Sequence, residues 1–140
     1  MKVHVSEIVF HIPVTKKNRH KLISFYEEYF NFTYRKNSLY NKKIRLNFHE
    51  CDEIINSYIS NNANEENLPP LLTFVIDKNF ASLCLKMKLD KVKFIWGIKY
   101  WTTAGVKILD PCGNVIFLNC IDDFDENGTT LEELEFLNNY

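Results

Sequence analysis

Side chains able to bind an anion or exchange a proton recur at alternate positions in two stretches of the sequence. One stretch alternates apolar residues with Arg45, Asn47 and His49, and the segment Glu7–Val14 places His11 in a similar alternation. Because successive side chains of a strand point to opposite faces, these polar groups would lie on the face opposite the apolar residues. A guanidinium group can bind a carboxylate or a phosphate through two parallel hydrogen bonds, and an imidazole can exchange a proton near neutral pH. The spacing therefore indicates chemistry directed at a small anion.

Each of these residues also has an ordinary structural explanation. His11 can be a strand histidine with satisfied hydrogen bonds, His49 a solvent residue at a strand end, and Arg45 and Asn47 part of a hydrated sheet face. A metal site made of His11, His49 and Glu50 is a further alternative, but two histidines on separate strands have no ligand spacing that tests it. The residues alone leave these alternatives open.

The composition indicates one cytoplasmic domain. With 140 residues and 46% hydrophobic content, the chain can bury a core without metal or disulfide support. No apolar run approaches the about 20 residues needed to span a bilayer, and the first residues lack the charged-then-apolar pattern of a secretory signal. Phosphate loops, serine nucleophile elbows and helix-turn-helix motifs are absent from the sequence, so we expect neither a membrane nor a nucleic acid as partner.

The cysteines are predicted to be reduced, and the charges are unevenly distributed. Cys51, Cys84, Cys112 and Cys120 have no Cys-x-x-Cys spacing, so we expect thiols that pack as small apolar side chains, with Cys112, in a turn, exposed. Residues 121–140 carry seven of the 18 acidic residues and none of the 17 basic ones. The basic remainder could attract an anionic partner, although its dispersed lysines are also typical of solvated faces.

Hydrophobic periodicity predicts the same order of elements twice: strand, helix, strands. The first set comprises a strand at Glu7–Val14, a helix at Asn18–Phe30 that Asn31 ends, and strands within residues 32–50, an interval so short that one strand must be very short or absent. The second set comprises a strand at Leu71–Asp77, a helix at Asn79–Leu89, and strands near Val92–Ile98, Tyr100–Lys107 and Val115–Cys120.

The remaining segments are predicted to connect or to terminate these sets. A short helix is possible at Asp52–Ser60, and residues 61–70 have the polar, proline-ended composition of a linker. Residues 121–140 form an acidic tail, in which the capping-box pair Thr130 and Glu133 predicts a short helix at Leu131–Leu137.

Three segments resemble the vicinal oxygen chelate superfamily, which comprises glyoxalases, bleomycin-resistance proteins and extradiol dioxygenases. They are Ile8–Val14 with the helix ending in Ser24–Phe32, the strand Leu72–Asp77, and the hairpin Gly105–Asn119, whose Asp-Pro-x-Gly-Asn turn is the most specific of the three. The resemblance implies an α+β fold in which two βαβββ modules, here residues 1–60 and 71–120, form a curved, cleft-bearing mixed sheet. It also implies a homodimer.

The positions that the resemblance assigns to metal ligands are occupied by apolar residues. They correspond to Val9, Leu71 and Phe117 in this sequence. A divalent ion needs oxygen or nitrogen donors at about 2.0–2.2 Å, and these side chains supply none. We therefore expect no metal ion at the usual place, with a displaced divalent metal as a less favoured alternative.

Strand alternation predicts which residues line the cleft that the resemblance implies. The predicted ligand-binding residues are His11, Arg45, Asn47, His49, Thr73, Trp101 (or its neighbour Tyr100), Phe117 and Asn119. The aromatic members would stack on a planar or apolar ligand, although Tyr100 and Trp101 are also explained as core or dimer contacts.

These expectations favour a glyoxalase/bleomycin-resistance-like protein that has no cofactor and binds a small anionic or aromatic molecule. One alternative is a lyase, isomerase or dioxygenase of the same superfamily that uses a rearranged metal, or His11 and His49 as acid and base. The other alternative is a dimeric scaffold or regulatory protein whose acidic tail makes the contact.

Overall fold

The computed structural model describes residues 1–52 and 67–139, and it contains two modules of the same design. The first module consists of β1 (Ile8–Thr15), α1 (Arg19–Phe30), β2 (Thr33–Arg35), β3 (Ser38–Asn41) and β4 (Ile44–Cys51). The second consists of β5 (Leu72–Ile76), α2 (Phe80–Leu89), β6 (Lys93–Lys99), β7 (Ala104–Leu109) and β8 (Val115–Cys120). The predicted α+β class with two βαβββ modules is confirmed. The very short strand expected in the first module is β2, with three residues.

Each module forms one mixed sheet. The strand orders are β1-β4-β3-β2 and β5-β8-β7-β6, and the first strand of each module runs parallel to the last. A short strand, β9 (Asn138–Asn139), extends the second sheet by pairing in parallel with β6. Both β1 and β5 are therefore edge strands. Pro13, which has no N–H group to donate, lies in the edge strand β1, as its chemistry requires.

The helix α1 ends where the sequence predicts and buries an aromatic face. Asn31 follows it in the left-handed conformation at φ 57°, and its N–H group bonds the carbonyl of Tyr26. Asn18 precedes the helix but makes no capping bond with its side chain. Leu22, Phe25 and Tyr26 are buried at helical spacing, so α1 packs on the sheets through this face.

One continuous core joins the helices to both sheets. In β4 and β8 the core residues occupy alternate positions, as Leu46 and Phe48 and Ile116 and Leu118 show. The positions between them point away from the helices.

The turn of the hairpin formed by β7 and β8, here called the closing hairpin, connects the two modules. Gly113 adopts φ 84°, which glycine tolerates without strain. The Tyr26 hydroxyl donates to Asp110 Oδ2 over 2.8 Å, and the Asn114 side-chain amide donates to the carbonyl of Pro13 over 2.9 Å. The hairpin turn is thus attached to α1 and to β1.

The prediction that Cys112 is exposed is wrong, because the same attachment buries it completely. Its sulfur atom accepts a hydrogen bond from the backbone N–H of Thr15 over 3.4 Å. Cys84 and Cys120 are also buried, Cys51 is half-buried, and all four thiols are free.

The acidic C-terminal segment folds against the second module. The predicted capping box of Thr130 and Glu133 is present, but it begins a 3₁₀ turn at Leu131–Glu133 and not a helix that continues to Leu137. The carbonyls of Leu131 and Leu134 accept hydrogen bonds from the buried Lys99 ammonium group, over 3.3 and 3.1 Å, in addition to those from the backbone N–H groups of Leu134 and Leu137.

Most of the predicted connector lies outside the described residues. This applies to nearly all of the possible helix at Asp52–Ser60 and to residues 61–66 of the predicted linker. Leu68, from the end of that linker, is buried against Val115. Within the described chain, neither helix is long and apolar enough to cross a membrane.

Candidate ligand-binding site

Each sheet has one face turned away from the helices, which we call its open face. In the first sheet Leu46 is buried toward the helix side, and its neighbours Arg45 and Asn47 therefore lie on the open face. The register places His11 beside Asn47 and His49 beside Pro13 on that face. The open face of the first sheet comprises Val9, His11, Pro13, Arg35, Ser38, Tyr40, Arg45, Asn47 and His49.

A short hydrogen-bonded chain crosses the middle of this face. Ser38 donates from its hydroxyl group to Asn47 Oδ1 over 3.1 Å, and Asn47 Nδ2 lies 3.3 Å from His11 Nδ1. Since the amide oxygen accepts a hydrogen bond from Ser38, the amide nitrogen faces His11, and that nitrogen can only donate. A neutral His11 then carries its own proton on Nε2. This contact favours one tautomer of the exposed His11, and His49 is exposed at the end of β4.

A cationic cluster lies beside that chain. Arg45 forms an ion pair of 3.0 Å with Glu7, so its guanidinium fork is partly occupied. The ring of Tyr40 lies 6.0 Å from the Arg45 guanidinium carbon and 4.4 Å from that of Arg35. Sequence analysis missed Arg35 and Tyr40, because only the pairing of the short strands β2 and β3 brings them onto the face of Arg45.

The open face of the second sheet is aromatic. Phe117, a predicted site residue, contacts Trp96 of β6, with ring centroids 6.2 Å apart. Both rings lie above Gly105, where an added Cβ would approach Phe117 to 3.1 Å and Trp96 to 3.4 Å. The Lys107 ammonium group lies 5.6 Å from the Trp96 ring. The absence of a side chain at Gly105 therefore lets the two rings lie close to the sheet.

The two other predicted residues of this sheet lie close to Phe117. Thr73 of β5 is the partner of Phe117 in the register and is exposed. Asn119 is half-buried at the next position of β8 on the same face, opposite Val75. The register therefore brings Thr73, Phe117 and Asn119 together. Binding by any of these residues stays a prediction.

The predicted strand Tyr100–Lys107 begins too early, and Trp101 does not lie on a strand. Trp101 is 95% exposed in the connection between β6 and β7, beside Tyr100. A bulge between Phe94 and Trp96 shifts the register and turns Trp96 to the face of Phe117. The aromatic contribution that alternation assigned to Trp101 or Tyr100 is thus made by Trp96, which simple counting could not find.

Solved structures resemble this chain over most of their length. No protein-family model matches the sequence, and no curated protein sequence does. The crystal structure of UcmS2 matches with a TM-score of 0.57 at 15% identity, covering 85% of this chain and 98% of that one. A glyoxalase/dioxygenase from Nostoc punctiforme matches with a TM-score of 0.57 at 16% identity, covering 81% and 90%. A glyoxalase/bleomycin resistance protein/dioxygenase family enzyme from Burkholderia phytofirmans PsJN matches with a TM-score of 0.54 at 17% identity, covering 79% and 96%.

The chain has the vicinal oxygen chelate fold. At these identities the likeness concerns the backbone, and it agrees with the duplicated modules and the parallel pairing of first and last strands. The function of this chain therefore has to be inferred from its own side chains.

The three positions that the sequence resemblance predicts to correspond to metal ligands carry apolar side chains on or beside the two open faces. Val9 lies on the first open face, Phe117 lies on the second, and Leu71 directly precedes β5. None has a donor atom for a divalent ion. Across residues 1–52 and 67–139, no three His, Cys, Asp or Glu side chains come close enough together to hold a metal.

The most strongly perturbed carboxyl group lies away from both open faces, in the closing hairpin. Burial raises the pKa of Asp110 to about 6, although hydrogen bonds from Asn114, Tyr26 and Cys112 oppose this shift. Burial, and then the charge of Asp110, raises the pKa of Tyr26 above its usual value. Because its two oxygens accept four hydrogen bonds from Tyr26, Cys112 and Asn114, we assign Asp110 to the joint between the modules and not to chemistry on a ligand.

A cavity of about 820 Å³ lies between α1, the start of β6 and the closing hairpin. None of the eight predicted site residues lines it. It is therefore distinct from the two open faces.

Proposed function

We propose that this chain binds a small molecule with a planar aromatic body and an anionic group, using its two open faces and no metal ion. The observation that carries the proposal is the chemical difference between the faces. One presents Arg35, Arg45 and His11, and the other presents Trp96 and Phe117. A ligand held by both would be charged at one end and flat at the other, in the manner of bleomycin-resistance-like sequestering proteins.

The aromatic half of the proposal rests on the pair above Gly105. Aromatic rings favour offset or tilted contacts, and the interplanar angle of 43° between Trp96 and Phe117 leaves ring surface for a third aromatic group. Both residues are half-buried, so a ligand stacked on them would remove apolar surface from water.

The anionic half rests on an excess of guanidinium groups. Arg35 and Arg45 both lie beside Tyr40, and the carboxylate that pairs with Arg45 belongs to Glu7, at the exposed start of the chain. An exposed ion pair contributes little stability. An incoming carboxylate or phosphate could therefore replace Glu7 at a small cost in free energy.

The direct test is a panel of planar aromatic carboxylates and phosphates, screened by thermal shift and then by titration. We expect Trp96→Leu to weaken the binding of a hit at least tenfold, while the matched variant Trp101→Leu leaves it unchanged. Arg45→Gln should also weaken binding, whereas Lys42→Gln, in the exposed β3–β4 turn, should not. Equal losses in Trp96→Leu and Trp101→Leu would contradict the proposal.

One observation favours a second candidate function, an acid-base lyase or isomerase. Asn47 Nδ2 lies 3.3 Å from His11 Nδ1, an arrangement that leaves the Nε2–H group of a neutral imidazole available as a proton donor. In such an enzyme His49 would remove a carbon-bound proton of the ligand and His11 would donate one, so the ligand would exchange that hydrogen for deuterium in D₂O, which NMR detects. At ligand concentrations that saturate the variant, His11→Gln would abolish the exchange. A bound ligand that shows no exchange in the unmodified protein would exclude this candidate.

A further inference from the structure

We propose that the cavity between α1 and the closing hairpin is a second binding site, for a small anion with an apolar body. We call this cavity the hairpin groove. The inference stands apart from the proposed function, since the hairpin groove shares no residue with the pairs Arg45–Tyr40 and Trp96–Phe117.

The hairpin groove has the size and the apolar surface of a small-molecule site. Its volume of about 820 Å³ falls within the roughly 300–1,000 Å³ typical of such sites. Phe25 of α1 contributes a ring that is only 6% exposed, and Val92, Leu109 and Pro111 add half-buried apolar groups. These four residues come from α1, the turn before β6 and the closing hairpin, and they line the cavity together.

The acidic side chains around the hairpin groove are already bound to donors. Glu28 pairs with Lys86 over 2.8 Å, and Asp90 accepts the Tyr29 hydroxyl over 2.6 Å. Asp110 is buried and receives hydrogen bonds from Tyr26, Cys112 and Asn114. Glu28 is therefore neutralised by an ammonium group, whereas Asp90 and Asp110 are bound to neutral donors.

Basic side chains also lie at the rim of the hairpin groove. His20 and Lys21 lie on the exposed side of α1, and Lys91 lies across the hairpin groove in the turn before β6. In the part of the chain that the structure describes, no acidic side chain pairs with Lys21 or Lys91. A lysine on each side of the hairpin groove suits a phosphate or a carboxylate, because its ammonium group is a compact point charge.

A ligand in the hairpin groove would bridge three elements that meet there. It would contact α1, the turn that follows α2, and the Asp110–Gly113 turn that attaches the second module to β1. Binding would therefore stabilise the joint between the modules and raise the midpoint of thermal unfolding.

The test uses 1-naphthyl phosphate as probe and 1-naphthol as its uncharged counterpart, followed by ¹H–¹⁵N NMR. We expect 1-naphthyl phosphate to cause saturable chemical-shift changes at the backbone amides of Lys21, Ser24, Val92 and Cys112, the last of which follows Pro111. We expect 1-naphthol to bind at least fivefold more weakly. Shifts confined to the open faces, around Asn47 and Phe117, would overturn the inference while supporting the proposed function. Equal binding of the two compounds would overturn the assignment of an anion.

Two variants separate charge from shape. Lys21→Glu combined with Lys91→Glu should weaken binding at least tenfold, whereas Lys42→Glu should not. Lys42 is a suitable control because it is exposed in a turn at φ 53°, close to the 64° of Lys91.

Ser24→Trp, on the exposed side of α1, would fill the hairpin groove and abolish binding, and Glu27→Trp is the matched control outside it. If the charge-reversed variant fails to fold, the Ser24→Trp result decides. Undiminished binding in Ser24→Trp would overturn the inference.

Discussion

The Tyr26 hydroxyl donates a hydrogen bond of 2.8 Å to Asp110 Oδ2, and the two residues belong to different modules. Asp110 also accepts hydrogen bonds from the backbone N–H groups of Cys112 and Asn114 and from the side-chain amide of Asn114. One buried carboxylate thus holds the hairpin turn in shape and attaches it to α1. Hydrogen bonds to a charged group are stronger than neutral ones, and an unsatisfied buried charge is costly.

Replacing Tyr26 by phenylalanine removes the hydroxyl group but leaves Asp110 buried. We expect the free energy of unfolding to fall by about 2–3 kcal/mol, because the carboxylate loses a donor that water cannot replace. Urea denaturation measures the change. Tyr29→Phe is the matched control, since that hydroxyl group donates to the exposed Asp90, and its loss should cost less than about 1 kcal/mol. Similar losses in both variants would contradict the importance assigned to Asp110.

Stability should depend on pH through Asp110. Burial raises its pKa from the usual 3.8 to about 6, so between these values the folded protein holds a proton that the unfolded chain has released. This contribution is complete below the unfolded value and is lost as the pH rises through about 6. Relative to Asp110→Asn, the free energy of unfolding of the unmodified protein should fall by on the order of 1–3 kcal/mol between about pH 4 and pH 7. Parallel profiles of the two proteins would show that the carboxyl group is not perturbed.

A side chain at position 97 should weaken the packing of the C-terminal segment against β6. A Cβ added to Gly97 would collide with the side chain of Leu137, so we expect Gly97→Ala to destabilise the protein by about 1–3 kcal/mol. Urea denaturation of Gly97→Ala, Leu137→Ala and the double variant gives the coupling energy. The double variant should lose less than the sum of the single losses. Strict additivity would argue against the contact.

The thiols should differ in reactivity toward 5,5′-dithiobis(2-nitrobenzoate). Only Cys51 is half-buried, whereas Cys84, Cys112 and Cys120 are buried. We expect one thiol to react in the folded protein and the other three after unfolding, with Cys51→Ser removing the early reaction. Loss of the early reaction in Cys112→Ser would show that the turn is open in solution.

The resemblance implies a homodimer, and the edge strands suggest where it would form. Phe10 of β1 is 41% exposed, and Leu71 and Val75, at β5, are 40% and 59% exposed. Apolar side chains on unpaired edge strands favour association. We expect light scattering to give the mass of two chains, and the mass of one chain for Leu71→Lys combined with Val75→Lys. A monomeric unmodified protein would contradict this expectation.

Local patterns predicted much of the fold. Alternation in β4 correctly separated Leu46 and Phe48 from Arg45 and Asn47, because a strand with one buried face has a fixed period of two. Asn31 and the Asp110–Asn114 turn were found because left-handed backbone and tight turns require particular residues.

Features that depend on distant contacts could not be predicted. The burial of Cys112 depends on Thr15, and Lys99 is buried because its ammonium group meets the carbonyls of Leu131 and Leu134. Trp96 was missed because one bulge reverses the alternation within β6. The faces of the candidate site were therefore predictable where strands are regular, and its aromatic part was not.

The parallel pairing of β1 with β4 and of β5 with β8 has a consequence for the speed of folding. Ile8 pairs with Ile44, and Leu72 pairs with Ile116, so neither sheet can be completed by hairpins between consecutive strands alone. In each module the first strand gains its hydrogen bonds only after the chain has closed a long loop onto the last strand. The conformational entropy of that loop is therefore lost early in folding. We expect refolding on the order of milliseconds to seconds, with a transition state in which the ends of each module have already met.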